Sequence, residues 1–396
     1  MKHGTKLRKG LAGLLLTGLL LTLGACGSKE EEETVLRIGI YEPLTGGNAS
    51  YGNAEKLGIE YAHSLTPTIT MGGKTYNIEL IAVDNAATPP ADAARKLLDA
   101  GVSVVLGSYG NEVSAIGGQI FGEAGVAVIG ISCTDASLTA NNDYFFRVCS
   151  RPNAQASALG AYAYDRLDAE SAYCISVTGD TESLTTANAF AYAFHSRGGR
   201  VYLDEVSATS PDLVTCLVRA DDEAAQAIFA PLPPDQIVQL VTLSRSLGLQ
   251  MPILGPDMLD SRQILEIPVD EQNDGPAIRV YVSAFYTAEG NSSFDEGLRR
   301  YVGYNARTAS EIEDPVSSYA ALGYDAYQIA VKAALAAKST NKADILAVMP
   351  SIVSTGVTGT VSFLDNGDAL RDTVFVKRAD YVNQKWRLDR KQEIPQ

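Results

Sequence analysis

From position 35 onward the chain alternates short β-branched apolar runs with longer segments whose apolar residues recur every three or four positions. The pattern predicts strands over 35–40, 76–83, 102–106 and 127–131. Between them it predicts a helix ending near 64 and helices over 90–100 and 111–124. After Arg151-Pro152 the alternation resumes, with helices over 153–167, 183–196, 211–220 and 235–247. These are interleaved with strands over 172–177, 200–206, 225–229 and 252–254. An apolar run at 278–284 follows, then helical patterns over 294–304, 315–337 and 342–348. Two β-like runs, 359–363 and 373–376, flank the turn Asp365-Asn366-Gly367-Asp368.

Strand followed by helix, repeated this regularly, predicts an α/β protein of parallel sheets covered on both faces. A chain of 396 residues suits two such sheets better than one sheet of a dozen strands. The expected architecture is two doubly wound parallel-sheet lobes joined by hinge strands. One lobe is expected to comprise 35–152 plus 283–357, the other 153–282 plus 358–396. Ligands of open parallel sheets bind beyond the carboxyl ends of the strands, so two facing sheets would line a shared cleft.

The first residues follow another rule. Lys2, Lys6, Arg8 and Lys9 precede the apolar run 11–23, which is shorter than a spanning helix requires and ends in small residues. Leu23-Gly24-Ala25-Cys26 resembles a bacterial lipobox, which implies export, cleavage before Cys26 and lipidation of its thiol. Residues 26–34 would then form a charged tether. The expected location is the extracytoplasmic face of a bacterial cell membrane, reached through the N-terminal lipid.

Composition narrows the chemistry. Hydrophobic residues make up 46% and charged residues 20%, enough for real cores. A net charge of −15 offers no positive field for phosphates, which argues against a nucleic-acid partner. Three histidines, His3, His63 and His195, leave little for a metal site or a His-centred triad. Cys133, Cys149, Cys174 and Cys216 lack metal-ligand spacing. HExxH, GxSxG and P-loop signatures are all absent, so neither an enzyme nor a cofactor is expected.

Three predicted post-strand loops carry groups suited to a small zwitterion. Gly107-Ser108-Tyr109-Gly110-Asn111 leads into a helix, so backbone amides at its start would face the cleft. Ser132, Cys133 and Thr134 follow the next strand. Asn111 and Thr134 suit helix capping equally well, and capping shares its geometry with anion binding. Asp257 follows strand 252–254 and suits either an ammonium group or the cap of a helix over 259–266. Tyr51, in a strand-to-helix loop, suits either a lid over an apolar group or an exposed loop.

Together these stretches resemble the substrate-binding proteins of branched-chain amino acid ABC transporters, the leucine/isoleucine/valine-binding family with the type I periplasmic-binding-protein fold. The likeness is carried in order by 38–46 (IGIYEPLTG), Tyr51-Gly52, Val83-Asp84-Asn85 with Pro89 and Ala93, 105–129, 321–326 (ALGYDA), and 359–363 with Asn366-Gly367-Asp368. It implies that Asn111 and Thr134 hold a ligand carboxylate, that Ser132 offers its carbonyl, and that Asp257 holds an ammonium. Glu182-Ser183 stands where the family has a second-lobe Tyr-Gly, and another family tyrosine falls near Pro233. These departures imply a ligand more polar or cationic than leucine if Glu182 faces the cleft. Cys133 either lines the pocket or packs. The implied function is capture of an amino acid or related small polar metabolite for delivery to an ABC permease. The alternative is a sensor of the same fold that signals to a membrane receptor.

Overall fold

The structure, a computed structural model, describes residues 34–268, 278–289, 292–304 and 314–395. Cys26 and the segment before it lie outside the described residues.

The first sheet contains β1 (Val35–Glu42), β2 (Thr68–Met71), β3 (Lys74–Asp84), β4 (Val104–Leu106), β5 (Ala127–Gly130) and β6 (Phe145–Arg147). Their order is β2-β3-β1-β4-β5-β6, parallel throughout except for the edge hairpin β2–β3. The connecting helices are α1 (Ala49–Leu65), α2 (Pro90–Asp99) and α3 (Asn111–Glu123). Alternating side chains of β1 feed two cores, because successive strand residues point to opposite faces. Leu36, Ile38 and Ile40 pack on the side of α1, while Tyr41 joins Phe121 of α3 on the other.

The second sheet is entered through α4 (Pro152–Leu167), β7 (Ser171–Val177), α5 (Thr181–His195) and β8 (Arg200–Val206). It continues through α6 (Leu213–Asp222), β9 (Ala227–Phe229), α7 (Pro234–Ser246), β10 (Ile253–Gly255), α8 (Arg262–Leu265) and β11 (Val280–Ala284). The chain then returns to the first lobe with α9 (Ser292–Val302), α10 (Ser318–Ala337) and α11 (Lys342–Val348). A small antiparallel sheet of β12 (Ser354–Gly356), β13 (Gly359–Phe363) and β14 (Ala369–Leu370) follows. Finally β15 (Thr373–Asp380) and β16 (Lys385–Glu393) close the second sheet, whose order is β16-β15-β11-β10-β9-β7-β8. This is the expected α/β class, with two mainly parallel sheets carrying helices on both faces, the second ending in the antiparallel strands β15 and β16.

The lobes exchange the chain slightly later than expected. β11 stays paired with β10 as far as Gly255–Val282 and with β15 as far as Ala284, so it belongs wholly to the second sheet. Val361 and Phe363 pack into the first core, which keeps β13 with the first lobe. The crossing segments are tied by buried charge. Arg147 is fully buried, with Nε 2.8 Å from Asp368 Oδ1, and Arg151 Nε lies 3.3 Å from the other oxygen. Arg371 donates to the carbonyls of Val148 and Thr358, both at 2.8 Å.

α1 and α10 pack at backbone distance. A Cβ on Gly58 would sit 1.9 Å from the Ala320 carbonyl oxygen, and one on Gly323 would sit 2.1 Å from that of Glu55. The two glycines let the helices touch and fix the depth of Glu55 in the lobe. Ser317 starts α10 by accepting from the Ala320 amide at 3.1 Å, and α10 ends at Lys338 in the left-handed region.

Cys133, Cys149, Cys174 and Cys216 are all buried and free. His63 packs against the Ile78 carbonyl, and His195 ends α5 against that of Gly199. Among the described residues there is no cluster of metal-ligating side chains, and no helix is long and apolar enough to cross a membrane.

Candidate binding site between the lobes

A cavity of about 390 Å³ opens where the carboxyl ends of the two sheets face each other. The first lobe contributes Tyr109, Gly110, Asn111, Ser132, Thr134 and Tyr319. The second contributes, among others, Asp180, Glu182, Gln236 and Asp257. Helices α3, α4, α5, α7 and α10 all begin at or beside its wall, which brings several positive helix ends to one place.

The loop after β4 is shaped by contact with β1. Gly107 has φ +118, and a Cβ there would lie 2.3 Å from the Tyr41 carbonyl oxygen. Gly110, not Asn111, is the N-cap of α3 and supplies no side-chain cap bond. Asn111, the first helical residue, turns its Oδ1 to accept from the amides of Thr134 (2.9 Å) and Asp135 (3.1 Å). The two loops are thereby pinned together. The same bonds occupy two amides that the loop pattern offers to a ligand, leaving the Asn111 amide nitrogen and the first turn of α3 as donors on this side. Thr134 does not cap the turn that follows, because Asp135 does so by accepting from Ser137.

The Thr134 hydroxyl donates across the cleft to Glu182 Oε1 at 3.0 Å. Glu182 therefore faces the cleft, in the first turn of α5, whose cap is Asp180 accepting from the Glu182 and Ser183 amides. Burial, then the neighbouring Asp135 and Asp180, push the Glu182 carboxyl up, while the Thr134 bond pulls it down.

Asp257 caps no helix. Its Oδ1 accepts from Gln155 Nε2 at 2.7 Å, and its amide donates to Gln155 Oε1, which also takes the Ser283 hydroxyl. Burial pushes Asp257 up to about 6, with Gln155 pulling it down and the Asp260 and Glu182 carboxylates pushing further. Asp260 itself is held by Lys377 at 2.8 Å and by Ser318 at the start of α10.

Below the cavity floor lie two fully buried carboxyls, Glu42 and Glu55, near enough to interact electrostatically. The Ser132 hydroxyl donates to Glu55, and the Tyr109 amide donates to Glu42 at 2.9 Å. Burial pushes Glu55 up to about 7. It holds Glu42 well above the carboxylate range, helped by the neighbouring Glu55 charge. Two buried carboxyls this close resist ionising together.

Tyr51 is not part of the cavity wall. Its ring stacks on Tyr109 at 4.4 Å and meets Tyr319 edge-on at 5.0 Å, supporting the two tyrosines that do line the wall. Cys133 is buried in the core between β5 and α3 and does not line the cavity. Gln155, Gln236, Tyr319, Glu42 and Glu55 gave no distinct sequence signal. Gln155, Gln236, Tyr319 and Glu55 are polar or aromatic residues inside predicted helices, and Glu42 lies two residues past the predicted strand 35–40, at the end of the longer observed β1.

The family model described as periplasmic binding protein matches residues 35–382. The chain belongs to the periplasmic binding protein family. It is 31% identical over 134 residues to the Leu/Ile/Val-binding protein homolog 2 of Brucella abortus, covering 33% of this chain and 36% of that one. Homolog 3 of Brucella melitensis is 26% identical over 200 residues, 49% of this chain and 53% of the relative. The chain thus spans between a third and just over half the length of these curated relatives. Among solved structures, the leucine-binding protein LivK of Thermotoga maritima superposes with a TM-score of 0.72 at 23% identity, covering 90% of this chain and 99% of that one. LivJ of Streptococcus pneumoniae, in complex with isoleucine, gives 0.69 at 22% identity, covering 91% and 99%. A solute-binding protein of Rhodopseudomonas palustris, in complex with 3,4-dihydroxybenzoic acid, gives 0.70 at 19% identity, covering 92% and 99%. These likenesses establish the type I periplasmic-binding-protein fold. The family and its fold neighbours are binding proteins, not enzymes.

Proposed function

We propose that this periplasmic binding protein captures a free amino acid between its lobes and hands it to an ABC permease from a lipid-anchored position outside the cytoplasmic membrane. The observation that carries the reading is a cavity with opposite polarity at its two walls. On the first lobe, Asn111, Thr134 and the start of α3 offer donors to a carboxylate. On the second, Asp257 is held by Gln155 as an acceptor for an ammonium. One zwitterion touching both walls favours the closed arrangement over the open one, because it makes its full set of bonds only there. Anchoring rests on the export-like start and on Cys26, and transfer to a permease rests on the family.

The reading is tested by thermal denaturation of the purified full-length chain with a panel of amino acids. A ligand at a hundredfold excess over its Kd should add about 2.7 kcal/mol of stability. Asp257→Asn should weaken binding about 10- to 100-fold, the cost of losing one charge-assisted contact. No response to any amino acid refutes the reading. Anchoring is tested separately by fatty-acid labelling in a bacterial host, which Cys26→Ala should abolish.

A further inference from the structure

The amino-acid reading leaves one part of the cavity unused. Every ionisable aliphatic side chain on its described wall is acidic, namely Asp180, Glu182 and Asp257, and no Lys, Arg or His lines it. Asp257 serves the α-ammonium, so Asp180 and Glu182 remain, together at the start of α5. Beside them Gln236, only 5% exposed, donates its Nε2 to the Ala208 carbonyl at 2.9 Å. That bond fixes the amide orientation, since a carbonyl cannot donate. It leaves Gln236 Oε1 buried with no donor from the protein. An acceptor in this condition calls for an N–H. Two carboxylates and a glutamine whose amide oxygen lacks a donor therefore belong to the second-lobe wall of one cavity, and a leucine side chain would supply them neither charge nor donor.

The bond between Thr134 and Glu182 adds a second argument. Glu182 places a carboxylate on the hydroxyl that an α-carboxylate would use. A ligand carboxylate arriving at Thr134 would take that position and release Glu182. With an apolar ligand, the displaced carboxylate would share the cavity with Asp180 and Asp257 and meet no cation on its wall. With a cationic side chain it gains a partner within the same cavity.

We infer that the ligand is a basic amino acid, with its side-chain cation received by Glu182, Asp180 and Gln236 of the second lobe. The inference rests on the proposed amino-acid function of this same site.

Calorimetric titration of the full-length chain with lysine, ornithine, arginine, leucine, glutamate and cadaverine tests it. The basic amino acids should bind at least about tenfold more tightly than leucine, the value of one charge-assisted contact. Glu182→Gln should erase that preference, bringing lysine and leucine to within about threefold of each other. Asp180 still caps α5 in this variant, and an unchanged melting temperature without ligand verifies its fold. Leucine binding as tightly as lysine overturns the inference while leaving the amino-acid function standing. A preference untouched in Glu182→Gln removes Glu182 from the recognition. Cadaverine binding as tightly as lysine overturns it too, since the carboxylate would then play no part. Silence from all five amino acids refutes the proposed function itself.

Discussion

At the residue scale, the site depends on a few buried groups whose partners are fixed. Gln155 is fully buried and satisfies both Asp257 and Ser283. Gln155→Leu keeps the volume but strands two polar partners, so it should cost about 1–3 kcal/mol in denaturant unfolding and weaken ligand binding as well. Two pH effects of opposite kind follow. On the proposed reading an ammonium is received by ionised Asp257, so affinity should fall as pH drops through about 6, and Asp257→Asn should remove that dependence. Folding responds the other way to Glu55. Its folded pKa of about 7 is above the ordinary carboxyl value of about 4.3, so unfolding releases a proton between these limits. Stability should therefore rise as pH falls from about 7 toward 5, and Glu55→Gln should flatten that rise in thermal scans.

Sequence alone pointed to Asn111, Ser132, Thr134 and Asp257 because each sits in a loop after a predicted strand, where a parallel sheet presents ligands, and Glu182 came to notice only through the family resemblance; all five line the cavity. Gln155, Gln236 and Glu55 were out of reach for the opposite reason. A polar residue within a helical pattern is usually solvated, and what buries these three comes from distant parts of the chain. Asn111 shows a subtler limit. Its type and place were legible, but which of its two amide atoms would serve the neighbouring loop was not.

At the scale of elements, regular alternation predicted the parallel strands and long helices, and small edge pieces escaped it. β16 reads KWRLDRKQE, a charged run whose strand character comes from pairing with β15 and not from apolar periodicity. β6 and β14 are only three and two residues long. The decisive helix contact is that of α1 with α10. Gly58→Val should force these helices apart and cost at least about 1–3 kcal/mol, the usual scale of overpacking. Because α1 also carries Glu55, the variant should disturb ligand binding more than an equally destabilising change in α6, measured by titration against melting temperature.

At the scale of the whole molecule, the crossing segments carry a buried ionic cluster where a flexible joint would ordinarily be expected. Asp368 neutralises Arg147, which has no exposed surface, and also meets Arg151 at the entrance to the second lobe. Asp368→Asn leaves a buried guanidinium without its counter-ion and should cost about 3–5 kcal/mol in equilibrium unfolding. Motion between the lobes is thus expected to pivot around this cluster, with its bonds kept.

The four unpaired thiols have a consequence of another sort. Each lies inside a lobe, and burial pushes Cys133 up to about 11 and Cys216 up to about 12, far from the reactive thiolate form. None of these four is cross-linked to another, so folding of the described body is expected to proceed as well under reducing conditions as in air, a comparison that refolding with and without dithiothreitol would make.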